Sequence, residues 1–260
     1  MTDLLLAQLE PFGLVLTAAH CGTDLKVVSQ SNLATWIDEH RVVVLRGFAA
    51  LQGNEFPEFC AQFGDILEWD FGAVNSLQVQ TDARNYLYTN RTVPFHWDGA
   101  FAGRVPHYIF FHCDHAPGKG SGGETLFSDT VRLLAKTTSV QHELWRQVHI
   151  KYTTEKIMHY GGTFTSALIC EHPTTGQEVL RFAEPVADLN PVLLEIAGIP
   201  REGHESFLQD MHVRLNDDAV CYRHEWQPGD VVIADNFVLL HGRTAFVDGA
   251  PRSIRRVNIL

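Results

Sequence analysis

The stretch GDVVIADNFVLLHGRTAFVDGAPRSIRRVNIL, residues 229–260, decides the fold. It predicts a buried apolar strand, a turn at Asp235-Asn236, a short strand that carries His241, and a last strand rich in arginine. Short strands that follow one another through tight turns are typical of antiparallel barrels and sandwiches. The stretch therefore predicts a β-rich fold that presents a histidine on a short strand.

The same pattern of strands and turns continues through the preceding part of the chain. Further strands are predicted in HYIFFHC (107–113), GETLFS (123–128), ALICEHPTTGQEVLRF (167–182) and CYRHEWQPGDVVIADN (221–236). The last two contain a Thr-Thr-Gly turn and a Pro-Gly turn.

Helices are predicted beside these strands rather than between them. The predicted helices are SNLATWIDEH (31–40), which precedes the strand RVVVLRGF (41–48), SDTVRLLAKTTSVQHELWRQV (128–148) and NPVLLEIAG (190–198). Because helices and strands do not alternate, a doubly wound parallel sheet fits poorly. We expect a mainly β fold with helices (α+β), namely a double-stranded β-helix (jelly-roll, cupin-like) core with helical insertions.

Composition limits the possible partners of the protein. The chain has 260 residues without a linker-like stretch, so one domain over residues 1–260 is expected. The formal net charge of -11 opposes binding to nucleic acid or to an anionic membrane surface, and favours a small-molecule partner. The sequence leaves the oligomeric state open.

The N-terminal segment and the cysteines indicate the cellular compartment of the protein. The N-terminal MTDLLLAQLEPFG lacks the basic segment and cleavage site of a signal peptide, and no apolar run reaches ~20 residues. The five cysteines form no C-x-x-C pair and indicate neither a disulfide framework nor a structural zinc site. A cytoplasmic protein is expected.

The pattern His-x-Asp occurs twice, as His96-Trp97-Asp98 and as His112-Cys113-Asp114. On an extended chain the two side chains of such a pair project to the same side, so each pair offers two corners of a metal site. With 14 histidines in the chain, either pair alone is weak support for a metal site. Residues elsewhere must decide between them.

His241 and Arg252 give the His-x-Asp pattern a chemical meaning. Two histidines and one carboxylate leave three positions of a metal open, which is the arrangement of non-haem Fe(II) oxygenases. A 2-oxo acid cosubstrate with a second carboxylate fills two of these positions, and its distal carboxylate needs a planar, bidentate cation such as arginine.

The sequence HWD (96–98) with His241 and Arg252 resembles the Fe(II)/2-oxoglutarate-dependent dioxygenases of the taurine dioxygenase type. The likeness includes GSGGETLFSD (120–129), where Thr125 matches the threonine that accompanies the arginine. The chain is most similar to the isonitrile-processing branch, from paerucumarin and related vinyl isonitrile pathways. That likeness runs over residues 40–258 and includes HWDG, LRF.EP, VIADN..LLHGR.AF and APR..RRV.

The resemblance implies a role for each matching residue. It implies iron ligands His96, Asp98 and His241, a 2-oxoglutarate clamp of Thr125 and Arg252, and substrate contacts from Arg256 and Arg181. Asn90 lies close to the first His-x-Asp pair in the sequence and is a further candidate for a substrate contact. For Arg181 a structural ion pair is an equally good interpretation. His112 is expected to be a core or supporting histidine, and Arg243 and Arg255 are expected to be surface charges.

The resemblance also implies a reaction. With Fe(II), 2-oxoglutarate and O2, the enzyme is expected to desaturate an aromatic 2-isocyano acid derived from tyrosine or tryptophan. Loss of CO2 would give a vinyl isonitrile, and its retention an unsaturated isocyano acid. The alternatives are hydroxylation of a sulfonate or an amino acid, and a non-catalytic cupin-like binding protein.

Overall fold

The computed structural model describes residues 4–157 and 160–260, and the other residues of the predicted domain lie outside this description. The strands are β1 (Leu4–Gln8), β2 (Leu14–Ala18), β3 (Val42–Arg46), β4 (Asn75–Gln78), β5 (Val93–His96), β6 (Tyr108–His115), β7 (Thr125–Asp129), β8 (His149–Ile157), β9 (Tyr160–Ala167), β10 (Ile169–Glu171), β11 (Glu178–Leu180), β12 (Leu193–Ala197), β13 (Cys221–His224), β14 (Val231–Asp235), β15 (Leu239–Arg243) and β16 (Ser253–Ile259). The α-helices are α1 (Gln30–His40), α2 (Glu55–Cys60), α3 (Thr130–Ala135), α4 (Ser139–Arg146) and α5 (His204–Leu215). Within the described ranges, none of these helices is long and apolar enough to cross a membrane.

Two sheets form the centre of the fold. The larger has seven strands in the order β1-β2-β3-β14-β6-β16-β4, and the smaller has four in the order β13-β7-β15-β5. Their facing side chains, among them Phe111, Phe127, Val232 and Ile254, form one buried cluster. The predicted double-stranded β-helix core with surrounding helices is confirmed.

Helices α1 and α2 cover the outer face of the larger sheet. Leu33 and Ile37, one helical turn apart, are fully buried against Val43 and Leu45. The predicted helix followed by a buried strand is therefore confirmed, although α1 begins at Gln30, one residue before the predicted segment.

A third layer lies on the other side of the smaller sheet. It contains the three-stranded sheet β12-β8-β9 and the helices α3, α4 and α5, which were predicted only in part. The helix predicted over residues 128–148 is divided into α3, capped by Asp129, and α4. The sequence pattern gave no prediction for α5.

The helix predicted over residues 190–198 is wrong. Residues Leu193–Ala197 form β12, whose side chains alternate between exposed and half-buried and which pairs with β8. Five residues with alternating apolar positions suit a strand edge as well as one helical turn, and the available partner strand decides between the two. The turn at Pro228-Gly229 also differs from a simple hairpin, because it joins β13 and β14, which belong to opposite sheets.

Candidate active site

Three potential metal ligands meet at the end of the smaller sheet. His96 ends β5, Asp98 follows two residues later, and His241 lies on the neighbouring strand β15, directly opposite His96. The Nε2 atoms of both histidines lie 3.8 Å from Oδ1 of Asp98. The structure thus brings together the three residues that the sequence singled out.

Both imidazoles can bind a metal through an unprotonated Nε2. Nδ1 of His96 lies 2.9 Å from the carbonyl oxygen of Pro94, to which it donates, so the lone pair of Nε2 is free. Nε2 of His241 is buried and has no hydrogen-bond partner among the described residues. Burial lowers the pKa of His96 and lowers that of His241 well below its usual value, which keeps both rings neutral. A buried, unpaired nitrogen beside a carboxylate fits a metal cation.

Asp98 supplies the negative charge of this group. Burial alone would raise its pKa, but the charge of Arg256 and the hydrogen bond from Asn258 favour the ionised form and hold the pKa below its usual value. Arg256 donates to Oδ1 at 3.0 Å, and Asn258 donates to Oδ2 at 2.8 Å. The carboxylate is therefore ionised and held from one side.

The backbone of Asp98 is also fixed. The side chain of Asn236 accepts from its N–H at 3.0 Å and donates to its carbonyl at 3.1 Å. The next residue, Gly99, has φ +94°, and a Cβ there would lie 2.3 Å from the carbonyl oxygen of Arg104. Only glycine fits this position, so the turn that carries the ligand depends on it.

A second group of two histidines and one aspartate contains His107, His172 and Asp235. In this group the ring nitrogen that faces the carboxylate carries a proton, unlike Nε2 of His96 and His241. Nδ1 of His172 accepts hydrogen bonds from the N–H groups of Thr174 and Thr175, at 3.2 and 3.3 Å. The proton of this ring is therefore on Nε2, which faces Oδ2 of Asp235 at 3.6 Å. A protonated nitrogen is not a metal ligand, and this group is a structural polar cluster.

The second His-x-Asp pair lies away from the metal ligands, as expected. His112 is buried in β6, and its Nδ1 lies 3.0 Å from Asp114. Asp114 is also paired with Arg255 at 2.9 Å. His112 therefore belongs to a separate ion-pair network on the larger sheet.

A small cavity of about 370 Å³ extends from the two histidines towards Arg252 and Thr125. Arg252 is buried, donates to the carbonyl of Gly123 at 3.1 Å, and lies 3.5 Å from the Thr125 hydroxyl. No carboxylate of the described chain lies within 4.0 Å of this cation, and burial lowers the pKa of Arg252 to about 9. A buried, unpaired guanidinium fits the distal carboxylate of 2-oxoglutarate.

The hydroxyl of Thr125 has a free donor for the same ligand. Its oxygen accepts from Nε1 of Trp226 at 3.0 Å as well as facing Arg252. Because that oxygen already accepts hydrogen bonds, its own proton is available for an acceptor in the cavity.

A larger cavity of about 660 Å³ adjoins the metal ligands. Its apolar wall consists of Trp69, Tyr86, Leu87, Pro94, Phe95, Trp97, Ala100, Phe101, Ala183, Val186 and Val192. Its charged groups are Asp98, Glu184 and Arg256, and Arg256 also borders the smaller cavity. The size and lining suit an aromatic molecule with one anionic end.

Two of the expected substrate contacts lie outside this wall. Arg181 is buried and donates to the carbonyl of Asn236 at 2.7 Å, while the carbonyl of Asn90 accepts from the N–H of Phe246 at 2.9 Å. Their substrate roles stay predictions that no contact in the structure supports.

The expectation that Arg243 and Arg255 are surface charges is wrong. Arg243 is buried and donates to the carbonyls of Leu87, Thr89 and Arg91, so it ties down the segment that precedes β5. Arg255 is only 16% exposed and paired with Asp114. An arginine in a strand faces inward or outward according to register, which neither the single Arg243 nor the pair Arg255-Arg256 reveals in the sequence.

Several residues of the site carry no sequence signal. Asn236 holds the backbone of Asp98, Asn258 donates to its carboxylate, and Trp69 and Glu184 line the larger cavity. Neutral amides and isolated aromatic residues are common in any core, and only the resemblance through VIADN drew attention to Asn236.

The family described as taurine catabolism dioxygenase TauD, TfdA matches residues 10–258. The chain is 45% identical over 257 residues to 3-((Z)-2-isocyanoethenyl)-1H-indole synthase of Fischerella ambigua, with 97% of this chain and 94% of that protein covered. It is 36% identical over 254 residues to tyrosine isonitrile desaturase of Pseudomonas aeruginosa, covering 95% and 87%.

Solved structures agree with these relatives. PvcB of Pseudomonas aeruginosa superposes with a TM-score of 0.83 at 33% identity, and covers 99% of this chain and 91% of that one. A second structure of PvcB, described as an Fe, alpha-ketoglutarate dependent oxygenase from an isonitrile synthetic pathway, has a TM-score of 0.81 at 33% identity.

Fold, ligand set and relatives define an Fe(II)- and 2-oxoglutarate-dependent dioxygenase that uses O2. The chain belongs to the TauD/TfdA family of dioxygenases.

Proposed function

We propose that this enzyme desaturates an aromatic 2-isocyano acid, derived from tryptophan or tyrosine, with loss of CO2, to a vinyl isonitrile. The proposal is supported by the activities for which relatives that are 45% and 36% identical over nearly the whole chain are named. The observation that carries it is the aromatic-lined cavity with Arg256 beside the metal ligands.

Iron and 2-oxoglutarate, when bound, supply the activation of O2 and the removal of hydrogen from the substrate. His96, Asp98 and His241 would hold the iron. Arg252 and Thr125 would bind the distal carboxylate of 2-oxoglutarate in the smaller cavity, which fixes the cosubstrate at its far end.

Arg256 is the residue that we assign to the substrate carboxylate. One of its terminal nitrogens donates to Asp98, but its Nε is buried and has no hydrogen-bond partner among the described residues. A carboxylate placed there would leave the aromatic ring among Trp69, Phe95 and Phe101 and hold the benzylic carbon near the metal ligands. The ring would also displace water from this wall.

The proposed reaction balances. One substrate anion, one 2-oxoglutarate dianion, O2 and one proton give the vinyl isonitrile, succinate, two molecules of CO2 and water. The substrate and 2-oxoglutarate each lose two electrons, and O2 gains four. Without loss of the substrate carboxylate, only one CO2 forms for each succinate.

The test is a substrate panel. The Fe(II)-loaded protein is mixed anaerobically with 2-oxoglutarate and the isocyano acid of tryptophan, that of tyrosine, or either parent amino acid, and O2 is then admitted. We expect a vinyl isonitrile from an isocyano acid, with two CO2 for each succinate, and no product from the amino acids. Succinate without consumption of any isocyano acid would contradict the proposal, and a hydroxylated product would favour the hydroxylase alternative.

The proposal includes a cytoplasmic enzyme with a small-molecule substrate and no nucleic-acid partner. The net charge of -11 and the free state of all five cysteines support it.

A further inference from the structure

The side chain of Asn258 connects the metal carboxylate to the wall of the larger cavity. Asn258 lies on β16, is 1% exposed, and donates from Nδ2 to Oδ2 of Asp98 at 2.8 Å. Its Oδ1 accepts from Nε1 of Trp69 at 3.3 Å, and Trp69 lines the larger cavity. Trp69, Asn258 and Asp98 thus form a hydrogen-bonded chain from the wall of the larger cavity to the iron ligand.

The two neighbours fix the orientation of the Asn258 amide. An indole N–H is only a donor, so the amide oxygen must face Trp69. With the amide oxygen turned to Trp69, the amide NH2 faces Asp98, and Nδ2 donates to Oδ2 at 2.8 Å. Neither contact survives a flip of the amide.

The two oxygens of Asp98 consequently differ in what they can still bind. Oδ2 accepts from Asn258, whereas a terminal nitrogen of Arg256 lies 3.0 Å from both oxygens and donates to Oδ1. Oδ1 is the oxygen that lies 3.8 Å from Nε2 of both His96 and His241. Asn258 therefore holds Oδ2 alone, and Oδ1 is the oxygen that faces the histidines.

We propose that Asn258 is a positioning residue that restricts Asp98 to one metal-binding oxygen, oriented from behind by Trp69. Two histidines and one carboxylate oxygen leave three metal positions open, which 2-oxoglutarate and O2 together require. A carboxylate that bound through both oxygens would take one of those three. Asn258 therefore keeps a position open for O2.

Trp69 gives this arrangement a connection to the substrate. Because Trp69 is part of the cavity wall, a ring that packs against it also presses on the donor that orients Asn258. The line Trp69–Asn258–Asp98 is a physical route from substrate binding to the metal ligand.

The test counts water molecules on the metal without substrate or turnover, so it is independent of the proposed substrate. Mn(II) is bound to the wild-type protein and to Asn258→Ala, and the relaxation of water protons is measured. In Asn258→Ala, Oδ2 of Asp98 loses the donor that Oδ1 lacks and can join Oδ1 on the metal, so we expect about one third less inner-sphere water, one position of three. Mn(II) affinity should be retained.

The matched control is Asn75→Ala. Asn75 is a buried amide on β4, opposite Arg256 in the sheet, and accepts from the hydroxyl of Tyr88 rather than donating to Asp98. It should leave the relaxation unchanged. Trp69→Phe keeps an aromatic ring but loses the indole N–H, and should reduce the bound water in the same direction, which covers the case that Asn258→Ala fails to fold.

Equal water relaxation in the wild type and in whichever of the two variants folds would overturn the proposal, whatever their Mn(II) affinity. A loss of affinity with the water count unchanged would make Asn258 a simple structural support.

Discussion

His96 and His241 lie directly opposite each other on the antiparallel strands β5 and β15, with ring centroids 4.3 Å apart. Antiparallel neighbours project their side chains to the same face, so strand pairing alone brings the two rings together. Asp98 then needs only to follow His96 by one strand repeat, with its turn held by Asn236.

Replacement of His241 by alanine should abolish the metal site. Loss of a residue that only hydrogen-bonds to a metal ligand lowers metal affinity by about 10–100-fold. Loss of a ligand itself should therefore lower the affinity by more than about 100-fold. The matched control is His107→Ala from the structural polar cluster, which should keep Fe(II) affinity. Anaerobic Fe(II) titration measures both, and tight binding by His241→Ala would contradict the assignment.

Replacement of Arg252 by alanine should weaken 2-oxoglutarate binding. Removal of a buried partner of a charged ligand costs about 2–5 kcal/mol, or roughly 30-fold and more in affinity. Thr125→Val loses one hydrogen bond and should cost about 1 kcal/mol. Anaerobic titration with 2-oxoglutarate gives both values. Arg255→Ala, which removes a nearby arginine paired with Asp114, should bind normally.

Two glycines of one loop should respond differently to alanine. Gly99 and Gly103 both have positive φ, which costs an alanine about 1–2 kcal/mol. A Cβ at Gly99 meets backbone at 2.3 Å, whereas at Gly103 nothing lies within 4 Å. Overpacking should therefore increase the loss of stability by about 1–3 kcal/mol in Gly99→Ala but not in Gly103→Ala, and it should lower the metal affinity of Gly99→Ala. Urea unfolding and Fe(II) titration test this, and equal losses would contradict the close approach.

Replacement of Arg181 by methionine should affect stability more than substrate binding. Arg181 donates to the carbonyl of Asn236, and loss of this buried bond costs about 1–3 kcal/mol. KM for the isocyano acid should stay unchanged. A raised KM with unchanged stability would instead support the predicted contact between Arg181 and the substrate carboxylate.

The pair of half-buried Arg46 and buried Asp230, 2.6 Å apart, should make folding sensitive to acid. Burial alone would raise the pKa of Asp230, but the hydrogen bond and charge of Arg46, together with the nearby His224, whose Nε2 lies 3.3 Å from Oδ2, outweigh burial and lower the pKa. The folded state therefore binds this proton more weakly than the unfolded state. Its stabilisation is present above the usual carboxyl pKa of about 4 and is lost as pH falls below it.

Asp230→Asn checks this dependence. The variant should lose about 1.5–3 kcal/mol at neutral pH, because the half-buried Arg46 loses the charged acceptor of its hydrogen bonds. Its free energy of unfolding in urea should also change less between pH 6 and 3 than that of the wild type, pH values chosen to bracket about 4. Equal pH dependence in both proteins would contradict the assignment to Asp230.

The sequence predicted those parts of the site whose chemistry needs particular residue types at particular spacing. His96, Asp98 and His241 are such residues, and strand periodicity was enough to place the first two together. Arg243 was misplaced because its burial depends on the carbonyls of residues 87, 89 and 91, distant in the chain. No local pattern reports such a contact.

The same distinction between local patterns and distant contacts applies to the secondary structure. The predicted strand in HYIFFHC is β6, because a branched and aromatic run bounded by turns has few alternatives. β12 was predicted as a helix, since its pairing with β8 lies about 40 residues away in the chain. Asn258 escaped notice because a neutral amide gains its role only from the two neighbours that orient it.

The pairing of His96 with His241 also limits how the length of this chain can vary in evolution. A single residue inserted into β5 or β15 next to either histidine would turn that ring to the opposite face of the sheet. Insertions and deletions that preserve iron chemistry are therefore confined to the loops, such as residues 116–124 between β6 and β7. Substitutions, rather than length changes, are the route by which these two strands can diverge.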